Sequence, residues 1–239
     1  MDHSYERTTQ LGPALMVLAP VTALILAFVQ TDTVEEVLRS AVSVIVGAGA
    51  HLIVMRAVRD RGNSVQPKLW TMWGGSPTID RMRWAGNRPK DIDRLHRRIQ
   101  HMTGVMLPRA DDEAAAPADA DDTYNDAALR LREMTRDHSR YPRVYAELVQ
   151  YGTARNLLGA KTLGVTAAVA VLAIAGILAV LAHRNMIDVN WWSLPLTIGT
   201  AAIVLVIWVV RITPEYVRPA AARYADALVS VANEPGAHP

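Results

Sequence analysis

The chain has 239 residues, no cysteine and a formal net charge of +2. The missing thiols exclude disulfides, thiolate nucleophiles and Cys-ligated zinc. A mean hydropathy of +0.11 beside 20% charged residues implies greasy spans joined to soluble segments.

Four apolar runs punctuate the chain. Residues 11–29 and 163–182 carry no charge, and neither do residues 191–210. Residues 37–55 carry only Arg39 and His51 as titratable groups. Each run covers about 30 Å as a helix, the thickness of a bilayer core. The first leaves through AFVQTDT without an Ala-x-Ala site, so it reads as a span and not a cleaved signal. The expected fold is an all-α membrane protein with four transmembrane helices and a helical cytoplasmic domain between the second and third.

Basic residues orient the spans. The connection QTDTVEE has three acids and no Lys or Arg, and HRNMIDVN has one Arg. Residues 56–162 hold 19 of the 25 basic residues. Residues 1–10, the central domain 56–162 and residues 211–239 are therefore expected on the cytoplasmic side of the membrane. The hairpins 11–55 and 163–210 would cross it. Trp191 and Trp192 are expected at the outer interface and Trp208 at the inner one.

The central segment is patterned by charge. Residues 56–109 sum to +8, residues 110–126 to −7 and residues 127–162 to +4. The acidic, low-complexity piece 110–122 reads as a mobile loop. Helices flank it. Pro89 suits a first turn, Ile92, Leu95, Ile99 and Met102 form an apolar stripe, and Gly104 is a stop. Tyr124, Ala127, Leu131 and Met134 make a second stripe. A third helix starts near Pro142 and is expected to run on into the third span, with a kink at Gly159. The segment PEYVRPAAARYADALVSVANE reads as a short amphipathic helix.

No catalytic set is legible, and neither an enzymatic role nor a cofactor is expected. His96 and His101 are five residues apart, roughly 140° around a helix, so they cannot share a metal from one face. The acids do not match a calcium loop, and no Walker, dinucleotide or Gly-x-Ser-x-Gly pattern occurs.

Two constellations remain. Ser40, Ser43, Gly47 and His51 fall within about 80° of one face of the second span, with Arg39 at its outer end. This is either a helix–helix packing face or the wall of an aqueous pore in a homo-oligomer. A proton-sensing His51 is a third reading. The second constellation is LWTMWGGSPT. Trp70 and Trp73 could stack bases, and Gly74 and Gly75 allow close backbone approach. Ser76 is a helix cap with Pro77 behind it, opening an expected helix over residues 77–84. Lys68, Arg81, Arg83 and Arg88 surround it. It is either a nucleotide or oligonucleotide surface or a capped turn whose tryptophans pack on the domain, with basic residues toward anionic membrane lipid.

The motifs PKLWTMWGGSPT, YPRVYAELVQYGTARNLLGAK and, after a Trp-containing last span, TPEYVRPAAARYADAL resemble a group of small bacterial multipass proteins. The layout also resembles the membrane channel subunit of the Hailong antiphage system and, more broadly, four-span effectors of nucleotide-signalling phage defence. That resemblance implies an oligomeric ion channel gated by a nucleotide or DNA oligomer made by a partner nucleotidyltransferase. Opening would depolarise the inner membrane. The alternative is a non-conducting scaffold or sensor that docks a cytoplasmic partner protein.

Overall fold

The computed structural model describes residues 3–27, 34–187 and 192–233; the side chains of residues 3, 4, 6, 27 and 34–48 lie outside that description. The described residues are helical, with no strand. In chain order the helices are α1 (His3–Ala27), α2 (Val34–Trp73), α3 (Pro77–Asp80), α4 (Pro89–Thr103), α5 (Ala110–Ala115), α6 (Pro117–Met134), α7 (Pro142–His183), α8 (Ser193–Val206) and α9 (Pro214–Ser230). A π-helical turn, Ile207–Arg211, continues α8, and a 3₁₀ turn, Val231–Asn233, ends α9.

Among the described residues, three helices are long and apolar enough to cross a membrane: Arg7–Leu26 within α1, α7, and Ser193–Arg211. They present large apolar side chains outward. Leu26, Ile177 and Val210 are each more than 60% exposed. Exposed apolar side chains on helices of this length are compatible with a membrane protein.

The chain divides into two compact units. The first comprises Met1–Gln66 and Gly152–Tyr216. Its core joins Ala14 and Val17 of α1, Val58 of α2 and Ala160 of α7 to Trp208 and Ile212. Small residues set the helix spacing. A Cβ on Gly159 would lie against the Gly62 nitrogen and only 2.6 and 2.7 Å from the Arg61 carbonyl carbon and oxygen. A Cβ on Gly62 would meet the Asn156 side chain. The backbones of α2 and α7 therefore touch here, as small-residue crossings allow.

Trp208 was expected at the inner interface, but it is fully buried. Its indole lies on Gly164, where any Cβ would collide with the ring. Beside it the Lys161 ammonium donates to the Val209 and Ile212 carbonyl oxygens at 3.2 and 2.8 Å. That satisfies carbonyls a helix end leaves open and complements its dipole. Deeper in the unit, Thr197 is fully buried and its hydroxyl donates to the Ser193 carbonyl at 2.9 Å.

The second unit comprises Pro67–Tyr151 and Val217–Pro239. Pro89 opens α4 and left-handed Gly104 (φ 71°) closes it. The α4 stripe is buried at Ile92, Ile99 and Met102, and the α6 stripe at Tyr124, Ala127 and Leu131. The C-terminal helix buries Val217, Tyr224 and Leu228.

Two expectations are corrected. Residues 110–122 are not a loop: α5 and the start of α6 fill them. Alanines favour helix, Pro117 sits in the first turn of α6, and the acids complement the N-terminal dipoles of both helices. Helix α2 continues through the segment after Arg61 to Trp73. The expected helix over residues 77–84 shrinks to the four residues of α3, and Ser76 makes no side-chain cap bond.

Candidate functional site

The α2 C-terminus is built by its two glycines. The Gly75 N–H donates to the Trp70 carbonyl at 2.8 Å, and the Gly74 N–H points back to Thr71 at 3.4 Å. This is the Schellman arrangement, which needs a left-handed residue after the helix. Gly74 supplies it at φ 80°, and Gly75 follows at φ 140°. The Gly-Gly pair therefore ends a helix that already carries both tryptophans. Trp70 is half-buried, and its indole Nε1 is buried without a hydrogen-bond partner. Trp73 is half-buried and faces a cleft.

The surrounding cations divide by their partners. Lys68 is exposed. Arg88 is exposed and pairs with Asp91 at 2.7 Å, one turn along the chain. Arg83 is turned inward. Its Nε and Nη2 donate to the two Asp121 oxygens at 2.8 and 2.5 Å, and its Nη1 donates to the Gly74 carbonyl at 3.2 Å. The bidentate bond to Asp121 raises its pKa. Arg81 pairs with Asp226 of α9 through Nε at 2.5 Å and Nη2 at 3.4 Å. That bond likewise raises its pKa. Two of the four cations expected to hold a ligand thus hold the domain together.

The acidic segment supplies the other half of this lock. Glu113 of α5 accepts from the Trp84 and Ala85 backbone N–H groups at 2.9 and 3.2 Å, and from the Tyr124 hydroxyl at 2.6 Å. Burial pushes the Glu113 carboxyl up, but these donors and the Arg83 charge more than offset it, so its pKa lies below the ordinary value. Burial and the Glu113 bond push the Tyr124 phenol upward. Trp84 donates its indole N–H to the Pro108 carbonyl at 2.9 Å and meets His96 edge-on, with ring centroids 5.2 Å apart. His96 is buried, with Nε2 2.6 Å from the Met82 carbonyl. Burial lowers its pKa. His101 is exposed.

Two clefts flank the Arg81–Asp226 pair. The smaller, about 220 Å³, lies between Trp73, Gly74 and Gly75 on one side and Arg218 and Ala222 of α9 on the other. The larger, about 350 Å³, lies between α4 and α9 and is lined by Asp91, Arg94, Arg98, Asp226 and Ser230. The structure thus brings Trp73, Gly74, Gly75 and Arg81 to one cleft wall. It does not bring Lys68 or Arg88 to either cleft.

Sequence reading missed Arg94, Arg98 and Arg218. The first two lie four residues apart on the polar face of α4, a spacing visible in the sequence but passed over beside the apolar stripe. Of the residues expected to line a pore, the side chains of Arg39, Ser40, Ser43 and Gly47 lie outside the described residues, as does Trp191. His51 is half-buried in α2. No protein-family model, curated protein or solved structure matches the chain.

Proposed function

We propose that the chain is one subunit of an oligomeric ion pore in a bacterial inner membrane. A nucleotide or oligonucleotide made by a partner nucleotidyltransferase gates it, and opening depolarises the cell during phage defence. Four spans cross the membrane, the start of α2 forming the second. The termini and the α3–α6 domain lie on the cytoplasmic side, as the basic residues require. The Ser40–Ser43–Gly47–His51 face of α2 lines the pore. The ligand enters beside Trp73, Gly74 and Gly75, where a ring face, open backbone and the Arg218 cation adjoin.

One observation carries this reading. Helix α7 is a single 42-residue helix that begins among charged groups at Arg143 and Glu147 and continues into uncharged residues 163–182. A continuous helix moves as one body, so an event at its polar end reaches the span directly. The outward apolar belt supports further subunits or lipid around the spans.

A second reading is a non-conducting scaffold that docks a cytoplasmic protein. It is favoured by the internal pairing of Arg81, Arg83 and Glu113, which leaves those groups satisfied without a ligand. Efflux from potassium-loaded liposomes separates the two. The pore reading expects efflux that changes when short oligonucleotides or cyclic dinucleotides are added. Tight liposomes under every condition would leave only the scaffold.

A further inference from the structure

The cleft between α4 and α9 retains positive charge after its own groups have paired. Its two carboxylates are engaged: Asp226 holds Arg81 with both oxygens, and Asp91 holds Arg88. Arg98 reaches a neutral partner, the Asn233 side-chain oxygen. Arg94 has no partner among the described residues and is exposed at the cleft wall.

Arg94 and Arg98 stand four residues apart on one helix, so both guanidiniums project to the same side. Like charges at that spacing disfavour a helix slightly. An anion between them turns that repulsion into two charge-assisted contacts. The planar fork of Arg suits phosphate oxygens in particular. Val229 and Leu95 add an apolar wall beside the cations. The volume of about 350 Å³ admits a group of nucleotide size.

We propose that the α4–α9 cleft is a phosphate-binding site in which Arg94 and Arg98 clamp one phosphate group of the ligand. The phosphate belongs to a soluble nucleotide or to a lipid headgroup; the chemistry at the two arginines is the same. This deepens the ligand-gated reading and rests on it only for what binding accomplishes, not for where the phosphate sits. Arg81 lines both this cleft and the Trp73 cleft. A ligand with a phosphate here could therefore extend past the Arg81–Asp226 pair toward Trp73.

The test uses the full chain in detergent micelles, with a fluorescent ATP derivative as probe and anisotropy as readout. Arg94→Ala is the decisive variant, since its side chain holds no other part of the fold. It should weaken probe binding about tenfold or more, with the melting temperature unchanged. Arg94→Lys should recover part of the loss. Lys90→Ala, an equal charge change on the same helix but outside the cleft, should bind like the parent. Nanodiscs identify the source. If phosphatidylglycerol discs suppress probe binding relative to phosphatidylcholine discs, and do so in the parent but not in Arg94→Ala, the phosphate is a lipid's. Equal binding in both discs makes it a soluble nucleotide's. The proposal is overturned if Arg94→Ala binds like the parent, or if the parent binds no probe in detergent. Nucleotide-dependent efflux that survives in an Arg94→Ala protein that also binds the probe like the parent would overturn the cleft while leaving the pore intact. Arg94-dependent binding by a protein that never conducts would do the reverse.

Discussion

Replacing Gly159 by Ala should separate the two longest helices of the protein. The added Cβ would lie 2.6 Å from the Arg61 carbonyl carbon and 2.7 Å from its oxygen, with the Gly62 nitrogen also in the way. All three are backbone atoms, so no rotamer change relieves the collision. Restoring ordinary contact requires α2 and α7 to move apart by roughly 1 Å, and overpacking of this kind costs about 1–3 kcal/mol. The upper end applies because the obstacle is main chain. A cost of about 3 kcal/mol lowers the melting temperature by roughly 6–12 °C for a chain of this size. Gly176→Ala is the control, because nothing lies within 4 Å of its added Cβ. That variant should hold or raise stability, since Ala is the better helix former by about 1 kcal/mol. Thermal unfolding in detergent, followed by circular dichroism, reads both. A Gly159→Ala protein that melts with the parent would refute the close crossing of α2 and α7.

Acid should unfold the second unit in two stages. His96 has a folded pKa below its ordinary 6.5. The unfolded chain therefore takes up a proton first, and stability falls as pH drops below 6.5. Glu113 has a folded pKa below 4.5, so its contribution is present above 4.5 and is lost as pH falls through its lowered value. A melting-temperature series from pH 8 to 4 should show the first decline in the parent and not in His96→Gln; the same decline in both would remove His96 as its cause. Glu113→Gln should cost about 2 kcal/mol at neutral pH, because its carboxylate accepts three hydrogen bonds at a half-exposed position. Proteolysis should then cut first within residues 104–123, and an unaltered cleavage pattern would show that Glu113 does not anchor α5.

Much of the helix plan is written in the sequence as apolar spacing with clear punctuation. Pro89 and Gly104 bracket α4, and the stripe through Tyr124 and Leu131 marks α6. The start at Pro142 and the run into an uncharged span mark α7. Two elements were hidden by their composition. Charges and Pro67 obscured the second half of α2, although Val58, Gly62, Val65 and Leu69 repeat at helical spacing. The acids of residues 110–122 looked like a disordered tract, but their partners lie far along the chain or in backbone N–H groups that only the fold exposes.

The candidate site was legible in part for the same reason. Trp73, Gly74, Gly75 and Arg81 do meet in one cleft. The roles of Arg81 and Arg83 depend on Asp226 and Asp121, which lie 145 and 38 residues away. Sequence distance of that kind conceals an ion pair entirely. A basic residue beside a Trp-Gly-Gly motif reads as a ligand contact until its carboxylate is found.

The most direct measurement of the central claim is current across a planar bilayer containing the purified protein, recorded before and after an oligonucleotide is added to the face carrying the α3–α6 domain. The pore reading predicts discrete conductance steps whose frequency changes with the ligand. A bilayer that stays silent in every condition, with incorporation of the folded protein verified, would contradict it.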